Sequence, residues 1–191
     1  MIVLILTFFL LANVSAQDEA YRDSLFRQLE HGKIDTNTFY ELSHYISKEL
    51  YNDPDQSFLD AKRALIIARD ASFYKVVPKL IMYQGISHDM TGNYDSAIVM
   101  YDSALHMART FALTSDEGSI YNNYSIVYAY LGQLKRSIEY SIKALDIFTD
   151  LEDSSMMAKV YNNLGSRYSD MEMEKRAIEY YEKAIEINER F

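Results

Sequence analysis

A chain of 191 residues with 49% apolar and 25% charged residues has the composition of a folded protein: one or two ordinary domains, or a short array of repeats. Its formal net charge of −9, with acidic residues spread along the chain, argues against nucleic acid and anionic membrane surfaces as partners. Cysteine is absent, which excludes disulfides, thiolate catalysis and cysteine-ligated zinc, while six glycines and two prolines favour long helices over turn-rich β structure.

Residues 1–16 read as a signal peptide. Ile2 to Ala12 is an uncharged, mostly apolar run, too short for a stable bilayer anchor and of the length expected for a secretory core. Small residues follow at Val14-Ser15-Ala16, so cleavage is expected after Ala16. No Lys or Arg precedes the apolar run. Residues 17–37 follow as an N-terminal cap helix and linker, with Tyr21, Leu25, Phe26 and Leu29 on one face and an end at Gly32.

Four units of about 40 residues come next. The first, 38–77, opens with an amphipathic stripe of Phe39, Leu42, Ile46 and Leu50. The second, 78–117, starts its first helix at Pro78, where a missing N–H costs nothing. In the third, 118–157, Ile120, Tyr121, Tyr124, Val127, Tyr128 and Leu131 recur at helical spacing, Gly132-Gln133 breaks the pattern, and Ile138, Ile142, Leu145 and Phe148 begin a second stripe. Gly132, like Gly92 one period earlier, stands where a tight inter-helix turn needs a residue tolerant of positive φ. The fourth unit, 158–191, predicts that residue 191 is not the natural end of the array, because Ile178, Tyr181, Ile185 and Phe191 form a face that a further repeat or a second copy would cover.

The period is explicit in four columns: Ala64, Ala104, Ala144 and Ala184; Leu65, Leu105, Leu145 and Ile185; Ile67, Met107, Ile147 and Ile187; and the small Ser57, Ala97, Ser137 and Ala177. Aligning 118–151 with 158–191 gives 12 identities in 34 positions, enough to mark an internal duplication. The small columns have a steric reason, since two helices approach closely only where side chains are short.

The run Tyr161-Asn162-Asn163-Leu164-Gly165, followed by Tyr168, Ala177, Tyr181 and Ala184, resembles the tetratricopeptide repeat (TPR), and Gly85, Gly92, Tyr94, Ala97, Tyr101 and Ala104 repeat it in the second unit. The resemblance extends over about residues 38–191 and is similar to the exported TPR input regions of bacterial sensor proteins. It implies an all-α fold, a right-handed α-solenoid of antiparallel helix pairs. The 40-residue period exceeds the common 34, and His88, Ser125 and Glu172 replace an expected Tyr, Gly and turn Gly.

No catalytic constellation accompanies the repeats. His31, His44, His88 and His106 are dispersed, only the last two sharing a unit, and lack metal-ligand spacing, and Asp116-Glu117 and Glu152-Asp153 sit near hairpin connections, where carboxylates cap helices. There is no phosphate loop and no calcium loop, so neither cofactor nor metal is expected. Most of the seventeen tyrosines fall in core columns.

What the resemblance implies is protein or peptide binding in a concave groove lined by the first helix of each repeat. In the family register Asn123 and Asn163 hold the groove position whose amide grips a bound main chain, with Asn122 and Asn162 beside them. Tyr83 takes the equivalent place in the second unit and Ser43 in the first, and Lys79 and Lys159 stand at the second position of their units. Two readings stay open: a non-catalytic scaffold acting outside the cytoplasm, in a periplasm or secreted, and the periplasmic input part of a membrane-bound histidine kinase or transcriptional regulator. After signal cleavage no membrane span is expected.

Overall fold

The computed structural model describes residues 2–31 and 35–190, with side chains from Gln17 onward. The expected helix end at Gly32 and the Phe191 ring lie outside the described residues. Nine α-helices occur among the described residues: α1 (Ile2–His31), α2 (Thr36–Glu49), α3 (Pro54–Asp70), α4 (Val77–Met90), α5 (Tyr94–Thr110), α6 (Thr114–Tyr130), α7 (Leu134–Asp150), α8 (Ser154–Asp170) and α9 (Glu174–Arg190). No described helix is long and apolar enough to cross a membrane. The fold is all-α, a solenoid of helix hairpins α2/α3, α4/α5, α6/α7 and α8/α9.

The local chemistry that starts and stops these helices is repetitive. Asp35, Asp53 and Asp153 accept the backbone N–H three residues on, capping α2, α3 and α8. The turns at 71–73, 91–93, 111–113, 131–133, 151–153 and 171–173 close with paired bonds such as Asn93 N–H to His88 O at 2.8 Å and Gly92 N–H to Asp89 O at 2.9 Å, the Schellman arrangement that satisfies a helix's last carbonyls. It requires a left-handed residue, and Gly92 and Gly132 supply it at φ of 77° and 71°. Elsewhere Ser72, Ala112, Glu152 and Glu172 adopt φ of 51° to 57° without being glycine.

Ala64, Ala104 and Ala144 are fully buried, as are Ala97 and Ser137, so the small-residue columns are where paired helices approach closest. Gly85 and Gly165 serve the same end: an added Cβ would stand 2.5 Å from the Tyr101 ring and 2.7 Å from the Tyr181 ring. In the third hairpin Ser125 and Ser141 replace this glycine–tyrosine pair, and the buried hydroxyls bond each other at 2.6 Å while Ser137 donates to the Ser125 carbonyl at 2.7 Å. The close approach moves two turns along, to Gly118 against Phe148.

The cap half of α1 buries Leu25, Phe26 and Leu29. It is fastened to α3 by Arg63, whose guanidinium lies over the Phe26 ring at 4.1 Å and pairs with Glu30 at 2.6 Å. The helix passes without a break through the Ala16–Gln17 junction.

Candidate functional site

First helices of successive hairpins touch, α2 with α4, α4 with α6 and α6 with α8, whereas successive second helices from α3 onward stand further apart. The array therefore curves with α2, α4, α6 and α8 on its inner side. All seven groove candidates, Lys79, Tyr83, Asn122, Asn123, Lys159, Asn162 and Asn163, lie on these helices.

Their individual positions differ in a way the sequence register does not show. Asn163 Nδ2 donates to Asn122 Oδ1 at 2.8 Å, a bond across 41 positions that links α8 to α6. The adjacent asparagines thus divide the work: Asn122, first of its pair, is turned towards the following hairpin, and Asn163, last of its pair, towards the preceding one. Each amide of the bonded pair keeps free capacity, the Asn122 NH2 and the Asn163 carbonyl among it. Asn123 is half-buried. By the same register Asn162 faces forward, and with Lys159 it lines an open cleft of about 370 Å³ alongside Ser155, Tyr181, Ile185 and Asn188.

Lys79 is engaged by Asp116 at 3.9 Å. The Asp116 carboxyl is nevertheless held above its ordinary value, because burial outweighs the attraction of Lys79. Together they edge a second cleft of about 430 Å³ with Tyr40, Lys75, Thr114 and Leu151. Tyr83 is only 8% exposed, and burial pushes its hydroxyl up to about 12, so its ring supports the groove wall and presents little surface to a partner. Ser43, its counterpart in the first hairpin, is buried with a hydroxyl that has no partner among the described residues. Of the candidates at the asparagine register, those open to a partner therefore lie on α6 and α8.

Asp116 and Glu117 do not cap α6: they stand in its first turn and pair with Lys79 and Arg109. Among the described residues no three His, Asp or Glu side chains converge to hold a metal. Sequence reasoning also passed over two stacks outside the groove. Tyr128 and Tyr140 stack at 5.3 Å with Lys143 4.9 Å from the Tyr140 ring, and forty residues on Tyr168 and Tyr180 stack at 5.2 Å with Lys183 at 5.2 Å from Tyr180. The signal was available in the identical spacing of Tyr and Lys in both units.

Residues 116–190 match the tetratricopeptide repeat family. This segment, the hairpins α6/α7 and α8/α9, is identified as tetratricopeptide repeat. A comparison with curated proteins finds no match. Among solved structures, BtubC (BKLC) from P. vanneervenii is 22% identical, with 92% of this chain covering 72% of that one and a TM-score of 0.74. Aspartyl phosphate phosphatase F from Bacillus subtilis gives 14%, 91% and 49% coverage and 0.74. A signal transduction ATPase with numerous domains, carrying a TPR sensor, from Pyrococcus horikoshii gives 21%, 86% and 28% coverage and 0.60. At these identities the likeness is one of fold, and the TPR solenoid is the fold shared.

Proposed function

We propose that this TPR array is a non-catalytic scaffold that holds an extended segment of another protein along α6 and α8, outside the cytoplasm. The observation that carries the reading is the asparagine bridge from Asn163 to Asn122, with Asn123, Asn162 and Lys159 beside it on the inner side of the curve. Amides offer donor and acceptor together, so such a strip grips main chain without selecting side chains. The apolar run before Val14-Ser15-Ala16 supports export.

The test is a titration of the chain against a library of unstructured peptides. Replacing Asn123 and Lys159 together with Ala should weaken the best binder about tenfold, as for one or two net hydrogen bonds, while Lys143→Ala, on the outer tyrosine stack, should not. Equal binding by wild type and the double variant sinks the groove reading. Export is checked separately, by fractionation and N-terminal sequencing, with Gln17 expected as the first residue.

A second reading is favoured by α9, where Ile178 and Ile185 stand 55% exposed: the array is the input part of a longer membrane-bound signalling protein. The TPR sensor of the signal transduction ATPase is a structural parallel. A transmembrane helix encoded beyond Phe191 in the same reading frame would select this reading.

A further inference from the structure

Between α1 and α2, away from the asparagine strip, lies a cleft of about 470 Å³ walled by the rings of Tyr21, Tyr40 and Tyr45. Tyr21 and Tyr40 are about half exposed, while Tyr45 is buried and meets Tyr21 edge-on at 6.3 Å. Large aromatic surface left open to water on two adjacent helices is costly to fold around unless something covers it. Two carboxylates share the walls, Asp18 and Glu41, and the Tyr21 hydroxyl donates to Glu41 Oε2 at 3.3 Å, fixing that carboxylate against the ring. His44 and Lys48 complete the rim.

Although Tyr94 and Tyr130 stack without a cation over either ring among the described residues, the stacks of the third and fourth hairpins treat their tyrosines differently. There the open ring faces are covered by the chain's own cations, Lys143 over Tyr121 and Tyr140, Lys183 over Tyr161 and Tyr180, and Arg136 and Arg176 over Tyr128 and Tyr168. At Tyr21, Tyr40 and Tyr45 no Lys or Arg among the described residues stands over a ring. Two carboxylates, Asp18 and Glu41, line the cleft against one ammonium, Lys48; besides burial, Glu49, Asp60 and Asp18 help push the Tyr45 hydroxyl up to about 12, with Arg22 opposing. Electron-rich ring faces and carboxylates around an open, partly desolvated volume are the complement of a positive charge with an apolar shell.

We propose that this cleft binds the ammonium head of a small organic cation, with the Tyr21 and Tyr40 rings against its methyl or methylene shell and Asp18 and Glu41 as its counter-charges. A lysine side chain carries the same charge without the methyl shell, and Tyr40 also borders the Lys79 cleft, so a lysine-rich peptide is the competing occupant that the test separates from a free ammonium ion.

The probe is choline chloride, titrated calorimetrically into the full chain, with dimethylbutanol, its neutral carbon isostere, as the control. Saturable binding of choline and none of the isostere is expected. Tyr40→Phe, which keeps the ring, should bind as wild type. Tyr40→Ala and Glu41→Gln should each weaken binding roughly five- to tenfold, with helical circular dichroism unchanged, since both positions are exposed. Equal binding of choline and isostere, unchanged affinity in Glu41→Gln, or saturation by a lysine-rich peptide with none by choline overturns the proposal.

Discussion

Two side chains carry stability consequences that can be measured. Gly85 lies under the fully buried Tyr101 ring, so Gly85→Ala forces a Cβ into a ring that has nowhere to go and should cost about 1–3 kcal/mol. Gly165 faces Tyr181 at similar distance, but that ring is half-exposed at the end of the array and can swing aside. Gly165→Ala should therefore cost clearly less in urea melts, and Tyr101→Leu should offset part of the Gly85→Ala penalty in a double-mutant cycle. Strict additivity of the pair would mean the two do not collide. Asp89 is the other. Burial pushes its carboxyl up to about 6, and Oδ1 has no partner among the described residues. A carboxyl with a folded value above its unfolded one binds its proton more readily in the native state, so stability rises as pH falls from above 6 towards 4 and is lost on the way back. Asp60 and Asp116 are raised in the same sense by burial. Asp89→Asn should melt higher than wild type at neutral pH, and the gap should shrink on acidification through that window. A gap independent of pH would show that Asp89 is ionised in the fold at an ordinary value.

At the scale of elements, the turns separate what was legible in the sequence from what was not. The helices α4 to α9 follow from apolar columns repeating at 40 residues, and Gly92 and Gly132 announced left-handed turns that the structure places there. The turns at Ser72, Ala112, Glu152 and Glu172 use the same backbone without its sequence signature, because the paired carbonyl bonds of the Schellman arrangement hold a strained residue in place. A left-handed L-residue costs about 1–2 kcal/mol, so Glu172→Gly and Ala112→Gly should each stabilise by up to about 1 kcal/mol after the added freedom of the unfolded chain is counted. Gly132→Ala should cost a similar amount; thermal melts of the three variants check the set, and a loss in Glu172→Gly would contradict the strain. The candidate groove was legible only by register. By register Asn123 and Asn163 were equivalent, with Asn122 and Asn162 beside them, and only the curvature of the array decides that Asn163 reaches Asn122 while Asn123 stays apart. The aromatic cleft was invisible for a related reason: Tyr21 and Tyr45 come together through helix packing between α1 and α2, which periodicity within one helix does not encode.

For the molecule as a whole, α7 and α9 carry one sequence pattern in two surroundings, sharing Lys-Arg, Ile-Glu-Tyr and Lys-Ala at matching positions. On α7 the face containing Ile138 and Leu145 is half-buried by the neighbouring hairpin, whereas the equivalent Ile178 and Ile185 on α9 are 55% exposed. Phe148, fully buried, has the exposed Asn188 as its counterpart. An interior repeat surface left open at the end of a solenoid retains its affinity for apolar cover, and a second copy of the same face is the cover always present in a purified sample. The chain is therefore expected to associate reversibly, with an apparent mass by light scattering that rises with concentration. Ile178→Lys combined with Ile185→Lys should hold it monomeric. Because both side chains are already more than half exposed, the double variant should keep the wild-type helical content and lose little stability at low concentration, where exposed substitutions stay within about 0.5 kcal/mol each. If wild type and variant scatter alike across the range, the α9 face is covered from within the chain or needs no cover, and the apolar end of the array has no role in assembly.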